Sequence, residues 1–160
     1  FTKQAPDDAY AYDTVSASSS ALKKNLVCNG FVNGWTEFGI VRAYLNDDRL
    51  DDNLRNYLIA STRMTYALYG VADISVHAGG WGEAEVTDLC TTYFGSSVYQ
   101  MVLKNPGKYA AAAIDYLQIT ELESTMAANQ GENYSEANLL DLLFNQGPAN
   151  FRVLRSWIGL

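Results

Sequence analysis

The stretch NGFVNGW, residues 29–35, lies within the first clear helical pattern of the chain and decides how tightly that helix is expected to pack. From Ala21 to Leu45, apolar residues recur three or four positions apart, which is the spacing of one helix face. Gly30 and Gly34 are four residues apart, so a continuous helix places both on one side. Glycine there lets another backbone approach closely, at a propensity cost of roughly 1 kcal/mol each. The sequence therefore predicts a closely packed first helix.

Helical periodicity continues through the rest of the chain. No stretch alternates with period two for long enough to predict a strand. We therefore expect an all-α fold, a single helical domain of about seven helices over residues 21–160, preceded by an extended arm at residues 1–20. Beyond the first helix, we expect helices over residues 50–77, 83–93, 98–103 and 109–128. Two more helices follow, one that carries Leu139 and Leu143 and a last one that begins at Pro148.

Composition and charge exclude several classes of function. The chain has 160 residues, of which 48% are hydrophobic, enough for one domain with a proper core. The formal net charge is −7, and the longest basic cluster is Lys23-Lys24, so we expect neither nucleic acid nor an anionic membrane surface as a partner. No run reaches the roughly 20 apolar residues of a membrane span. Cys28 and Cys90 suit either one disulfide or two buried thiols.

Four aspartates lie around the start of the second helical segment, at Asp47-Asp48 and Asp51-Asp52. A calcium-binding EF-hand loop requires a central glycine and a terminal glutamate at fixed offsets, and both are missing here. We expect these acids at a helix N-terminus, where the helix dipole favours negative charge.

A single histidine, His77, limits the chemistry available to this chain. The HExxH zinc motif needs two imidazoles, and no CxxC or CxxH spacing is present. Asp73 precedes His77 by four residues, and Trp81 follows it by four. On a helix, Asp73 could orient the imidazole toward a substrate carbonyl. The alternative is a structural histidine at a helix C-terminus, and without further information the spacing favours that role.

Four segments in order resemble a known family: FVNGWTEFG at residues 31–39, ALYGVADISVHAGGW at 67–81, NPGKYAAAAIDYLQITEL at 105–122 and LLDLLFNQGPANFRVL at 139–154. Together they resemble the C-terminal region of the bacterial family known as domain of unknown function 885. Its members look like helical zinc metallopeptidases, many of them exported or lipid-anchored. They carry an HExxH helix upstream, then an EGWA-type segment whose Glu is the expected third zinc ligand. A D-x-x-x-H-x-x-x-W segment and a Pro-Gly-led helix, often bearing a Tyr, follow.

The resemblance implies a degenerate zinc site in this chain. Asp73, His77 and Trp81 fit the second family segment, but the expected zinc-ligating Glu falls on Asn33. An amide oxygen is neutral and a poorer zinc ligand than a carboxylate. The helix tyrosine falls near Ala112-Ala113, so an expected oxyanion donor is absent, and the HExxH segment does not occur in this sequence.

From this resemblance we expect the C-terminal helical half of an exported bacterial protein, extracellular or in the cell envelope. The chain is expected to hold no catalytic residue, metal ligand or cofactor of its own. Zinc is expected only if an upstream HExxH domain is present. A peptide and that upstream domain are the implied partners. The residues expected to line a peptide-binding groove are Asn33, Trp35, Glu37, Asp73, His77 and Trp81.

Two alternatives remain open at this stage. The chain could be half of an active zinc peptidase that an upstream HExxH domain completes. It could also be a helical interaction module unrelated to peptidases, which would be favoured if Trp35, His77 and Trp81 were scattered rather than lining one cleft.

Overall fold

The computed structural model describes residues 29–94, 97–146 and 149–157, and all regular elements within these ranges are helical. They hold seven α-helices and one short 3-10 helix, Gly131–Asn133, which confirms the all-α prediction. The predicted arm at residues 1–20, the predicted start of the first helix and Pro148 lie outside the described residues. The helices are α1 (Asn29–Leu45), α2 (Asp52–His77), α3 (Glu83–Phe94), α4 (Tyr99–Leu103), α5 (Lys108–Gln130), α6 (Glu136–Gln146) and α7 (Phe151–Trp157).

Helix α2 begins and ends where its sequence supplies capping groups. Asp51 is its N-cap, and the Asp51 carboxylate accepts a hydrogen bond of 2.9 Å from the backbone N–H three residues on. At the other end, the N–H groups of Ala78 and Gly79 donate to the Ile74 carbonyl at 2.8 and 3.2 Å. Gly80 follows with a φ of 72°, a conformation that glycine adopts without strain. The prediction of acids at this helix N-terminus is confirmed for Asp51 and Asp52, whereas Asp47 forms an ion pair with Arg49 before the helix begins.

The described helices group into two compact units. Among the described residues, the first comprises residues 29–43 and 115–157, and the second comprises residues 44–114. The boundary at residue 114 falls inside α5, so the first two turns of this helix belong to the second unit.

In the second unit, α2, α3 and α4 enclose a small apolar core. Tyr69 on α2 and Tyr109 on α5 meet edge to face at this core, with ring centroids 5.5 Å apart. Cys90 is a free thiol with 0% exposure, and Cys28 lies outside the described residues. Cys90 therefore acts as a core side chain. The buried residues of this cluster are Ala72, Val86, Cys90, Val98 and Val102.

In the first unit, α1 presents an aromatic row to the core. The rings of Phe31 and Trp35 stack with centroids 6.2 Å apart, and those of Trp35 and Phe38 stack at 5.9 Å. Phe151 of α7 lies 6.2 Å from Phe31. This row fixes α1 and α7 together, because large aromatic side chains contribute much of the buried apolar area of a core.

A polar cluster also ties together the elements of the first unit. Arg42 of α1 forms an ion pair with Glu123 of α5, and its Nε lies 3.6 Å from a carboxylate oxygen of Glu136 at the start of α6. The Tyr134 hydroxyl donates to the same Glu123 carboxylate at 3.1 Å. Burial, together with the Glu123 charge, raises the pKa of Tyr134 to about 12, so its hydroxyl keeps the proton that it donates. The Arg42 guanidinium also lies over the Phe38 ring, 4.9 Å from its centroid.

The close helix approach predicted for Gly34 is confirmed. A Cβ atom at Gly34 would lie 2.5 Å from the carbonyl carbon of Asp115 and 2.7 Å from the nitrogen of Tyr116, both on α5. These are backbone atoms, and they cannot move aside without shifting the helix. Gly34 is therefore the residue that lets α1 and α5 pack this closely.

We predict that Gly34→Ala destabilises the protein by roughly 2 kcal/mol or more, because overpacking against backbone outweighs the better helix propensity of alanine. Urea unfolding followed by circular dichroism measures this difference. Gly82→Ala is the matched control, since a Cβ there meets only the flexible Glu85 side chain, at 3.4 Å. Equal stabilities for the two variants would contradict the proposed close approach.

Candidate functional site

Asp73 is the most completely hydrogen-bonded of the six candidate residues. Its side chain is buried, with 1% of the residue exposed. One carboxylate oxygen accepts from the backbone N–H of Gly107, and the other accepts from those of Tyr109 and Ala110, all at 2.9 Å. These N–H groups lie at the beginning of α5, where helical backbone donors have no partner within their own helix. Asp73 therefore caps α5 from a neighbouring helix.

The local sequence explains why the cap comes from another helix. The polar residue that precedes α5 most closely is Asn105, and its Nδ2 donates to the Met101 carbonyl at 2.8 Å, which directs the side chain back to α4. Pro106 follows it, and Gly107 then turns the chain with a φ of 76°. The N-terminus of α5 therefore requires an acceptor from elsewhere, and a negative one also interacts favourably with the helix dipole.

Gly70, one turn before Asp73, brings the two helices close enough for this contact. A Cβ atom at Gly70 would lie 2.8 Å from the Cβ of Ala113 on α5. A larger residue at either position would push the helices apart and lengthen the Asp73 hydrogen bonds. This packing also explains the small side chain at residue 113, because a larger one would meet Gly70 of α2.

His77 is the last residue of α2 and connects this helix to α4. Its Nε2 lies 3.2 Å from the Val102 carbonyl oxygen. A carbonyl oxygen only accepts, so in this contact Nε2 carries a proton and donates it. The same nitrogen is 3.6 Å from the nearer Asp73 oxygen, which is too long for a hydrogen bond. His77 therefore has a structural contact at a helix C-terminus, and 28% of its side chain is still exposed.

Trp81 follows in the turn after α2. Its backbone N–H donates to the Ser75 carbonyl at 3.0 Å, which folds the turn back onto the helix end. Trp81 is 36% exposed, so part of its indole faces solvent. Of the three candidates in the second unit, His77 and Trp81 present surface that a ligand could contact.

The other three candidates lie on α1, in the first unit. Asn33 is partly exposed. Trp35 is 1% exposed and forms part of the aromatic row, so its ring packs in the core. Glu37 is 3% exposed, and its Oε2 has no hydrogen-bond partner among the described residues. Burial raises the pKa of Glu37 to about 8, because a desolvated carboxylate is costly and the neutral acid is favoured.

The six candidates therefore divide into two groups. Asp73, His77 and Trp81 belong to the second unit, and Asn33, Trp35 and Glu37 belong to the first. Their shared groove stays a prediction. Asp73, Trp35 and Glu37 are buried within their own surroundings, which leaves Asn33, His77 and Trp81 as the accessible members.

The donor groups present do not fit zinc. Asn33 offers a neutral amide, and the Asp73 carboxylate already accepts three backbone hydrogen bonds. His77 is the only histidine of the chain, and with Nε2 bound to a carbonyl it has one ring nitrogen, Nδ1, to offer. A zinc site requires several carboxylate, imidazole or thiolate ligands, which one nitrogen does not supply. Across residues 29–94, 97–146 and 149–157, no group of three or more His, Cys, Asp or Glu side chains is arranged to hold a metal ion.

In comparisons with known proteins, no family model, curated protein or solved structure matches this chain. No helix among the described residues has both the length and the apolar character needed to cross a bilayer.

We predict that Asp73→Asn lowers the free energy of unfolding by about 2–4 kcal/mol, because the amide loses the charge and turns an N–H toward backbone donors. Chemical denaturation monitored by circular dichroism gives the value. Asp88→Asn changes an exposed acid on α3 in the same way and is expected to shift stability by no more than about 0.5 kcal/mol. A loss for Asp73→Asn as small as that of Asp88→Asn would argue against the cap.

We predict that the stability gained by Glu37→Gln over wild type grows with pH. The pKa of Glu37 is about 8 in the folded protein, above its ordinary value of 4.5. As the pH rises, Glu37 therefore loses its proton in the unfolded chain at a lower pH than in the folded protein. Between about pH 4.5 and pH 8, the free energy of unfolding of the wild type therefore decreases as the pH rises. The decrease is on the order of 3 kcal/mol by pH 7.

Urea unfolding of both proteins at several pH values between 4.5 and 8.5 measures this difference. The exposed Glu132→Gln is the control, with an expected difference that does not depend on pH. A flat profile for Glu37→Gln would show that Glu37 is solvated or paired in solution.

Proposed function

We propose that this chain is a non-catalytic, peptide-binding helical domain of an exported metallopeptidase-like protein. The proposal combines the four family-like segments with the state of the residues that would build a zinc site. Its main support is Asp73, whose carboxylate is used completely as the cap of α5. Asp73, which fits the second family segment together with His77 and Trp81, thus stabilises the fold through a contact that requires no metal.

The accessible candidates have chemistry that suits a peptide. The amide of Asn33 can donate to and accept from a peptide group, and the exposed part of Trp81 offers a flat apolar face. His77, four residues before Trp81 and in the same unit, adds a partly exposed imidazole. None of these three side chains is a carboxylate, and His77 is the one member of the group whose side chain is a general base in other proteins.

A second candidate function is a helical interaction module with no relation to peptidases. The burial of Trp35 within the aromatic row favours it, because this tryptophan serves the core of the first unit and has no surface left for a ligand. The two candidates differ in whether a peptide contacts His77 and Trp81.

We predict that the purified chain retains far less than one equivalent of zinc after dialysis against zinc chloride and cleaves no peptide of a fluorogenic library. Metal content by mass spectrometry and fluorescence release measure the two quantities. Stoichiometric zinc, with peptidase activity that a chelator removes, would establish the active enzyme and exclude our proposal.

Peptide binding has a direct probe because His77 is the only histidine of the chain. Titration with a mixed peptide library is expected to shift its single imidazole Cε1–H resonance. Trp81→Ala should weaken this binding about tenfold, as expected for the loss of an aromatic anchor. Tyr93→Ala, which removes an aromatic 54% exposed on α3, is the matched control. An unchanged His77 resonance in the presence of peptides would favour the unrelated interaction module.

A further inference from the structure

Helix α2 carries an apolar stripe on its outer face, entirely within the second unit. The four large residues of the stripe have exposed fractions of 68% for Tyr57, 38% for Met64, 46% for Val71 and 50% for Ile74. Two alanines between them are exposed as well. We define the α2 stripe as Tyr57, Ala60, Met64, Ala67, Val71 and Ile74.

The spacing of the stripe is that of a helix-pairing seam. Its members alternate between three and four residues apart, which is the a/d pattern that keeps one side of a helix against a partner helix. Other positions of α2, including Ile59, Leu68 and Ala72, are buried in the protein's own structure. The stripe is therefore a second apolar face, additional to the one that the fold uses, and it contains no charged side chain.

The size of the stripe is appropriate for a small helix-helix interface. The exposed fractions correspond to roughly 500 Å² of mostly apolar surface on each copy, near the upper end of what a monomer usually exposes in one patch. Two such faces brought together would remove about 1,000 Å² from water, the lower limit for a specific interface. Apolar burial on this scale gives a measurable but moderate association.

We propose that the α2 stripe is a self-association surface, on which a second copy of this chain packs its own α2 in the antiparallel direction. The order of large and small side chains supports this occupant. In an antiparallel pair, Tyr57 lies opposite the partner's Ile74, Ala60 opposite the partner's Val71, and Met64 opposite the partner's Ala67. Each alanine then meets a larger residue, so the surface is complementary to its own reversed copy, as a two-fold interface requires.

The parallel arrangement lacks this fit. It places Ala60 and Ala67 against the same alanines of the partner, which leaves gaps between layers of larger side chains. The antiparallel pair also sets the helix dipoles in opposite directions and places Arg63 beside the partner's Gly70, so no like charges face each other along the seam.

The oligomeric state of the full chain tests the proposal. Light scattering coupled to size-exclusion chromatography, over a range from low to high micromolar concentration, is expected to show a monomer-dimer equilibrium. Ala67→Glu places two negative charges near the two-fold axis and is expected to weaken dimerisation at least tenfold. Ala137→Glu introduces the same change at an exposed alanine of α6 and is expected to leave the dimer intact. Circular dichroism at low concentration checks that each variant is folded.

The direction of pairing has its own experiment. Ala60→Cys and Val71→Cys chains, each in a Cys28→Ser background, are mixed and oxidised. The antiparallel pair brings these two positions together, so a mixed disulfide should predominate over either homodimer. Predominant Ala60→Cys homodimers would overturn the antiparallel arrangement.

Two further outcomes would overturn the proposal as a whole. One is a wild type that remains monomeric throughout, and the other is a dimer that Ala67→Glu does not weaken. If the protein is monomeric, the rate of thiol labelling of Ala67→Cys shows whether the stripe is covered. Slow labelling of this cysteine in a monomer would mean that another segment of the same chain covers the stripe.

Discussion

Three backbone N–H groups at the start of α5 converge on one buried carboxylate, that of Asp73, and the second unit is arranged around this contact. Removing a carboxylate from water is costly, and the cost is offset only when donors replace its hydration. Here the backbone of α5 supplies them, together with the positive end of its dipole. The same contact satisfies donors that a helix start would otherwise leave unpaired. One side chain thus stabilises both its own charge and the end of another helix.

Neighbouring residues make this contact possible. Gly70 and Ala113 let α2 and α5 approach, and the positive φ of Gly107 turns the chain so that its N–H points at Asp73. His77, one turn further, holds the end of α2 to the Val102 carbonyl of α4. Asp73 and His77 are therefore part of a junction of three helices, α2, α4 and α5. Such a junction stabilises the fold whether or not a metal is bound elsewhere.

Glu37 presents the opposite case. It is as buried as Asp73, yet one of its oxygens has no partner among the described residues, and its pKa is raised to about 8. The difference lies in the available donors: Asp73 accepts three backbone hydrogen bonds, whereas desolvation without such bonds favours the neutral form of Glu37. Burial alone therefore does not identify the role of an acid in this protein. Its hydrogen-bond partners do.

The helices could be predicted from sequence because periodicity, glycines and local caps act over short distances. Residues 105–107 end one helix, Asp51 starts another, and Gly34 allows a close crossing, as the pattern indicated. The partners of Asp73 could not be predicted, because Gly107 is 34 residues away along the chain. The one local signal was the lack of a free capping side chain before α5.

Backbone amide exchange tests the role of Asp73 most directly. Measured by NMR on the full chain, the amide hydrogens of Gly107, Tyr109 and Ala110 should exchange slowly, although unpartnered amides at a helix start normally exchange fast. In Asp73→Asn, these three should lose protection while the amide of Ile119, deep within α5, keeps most of its own. Fast exchange of the three amides in the wild type, or equal protection in both proteins, would contradict the view that Asp73 holds this junction.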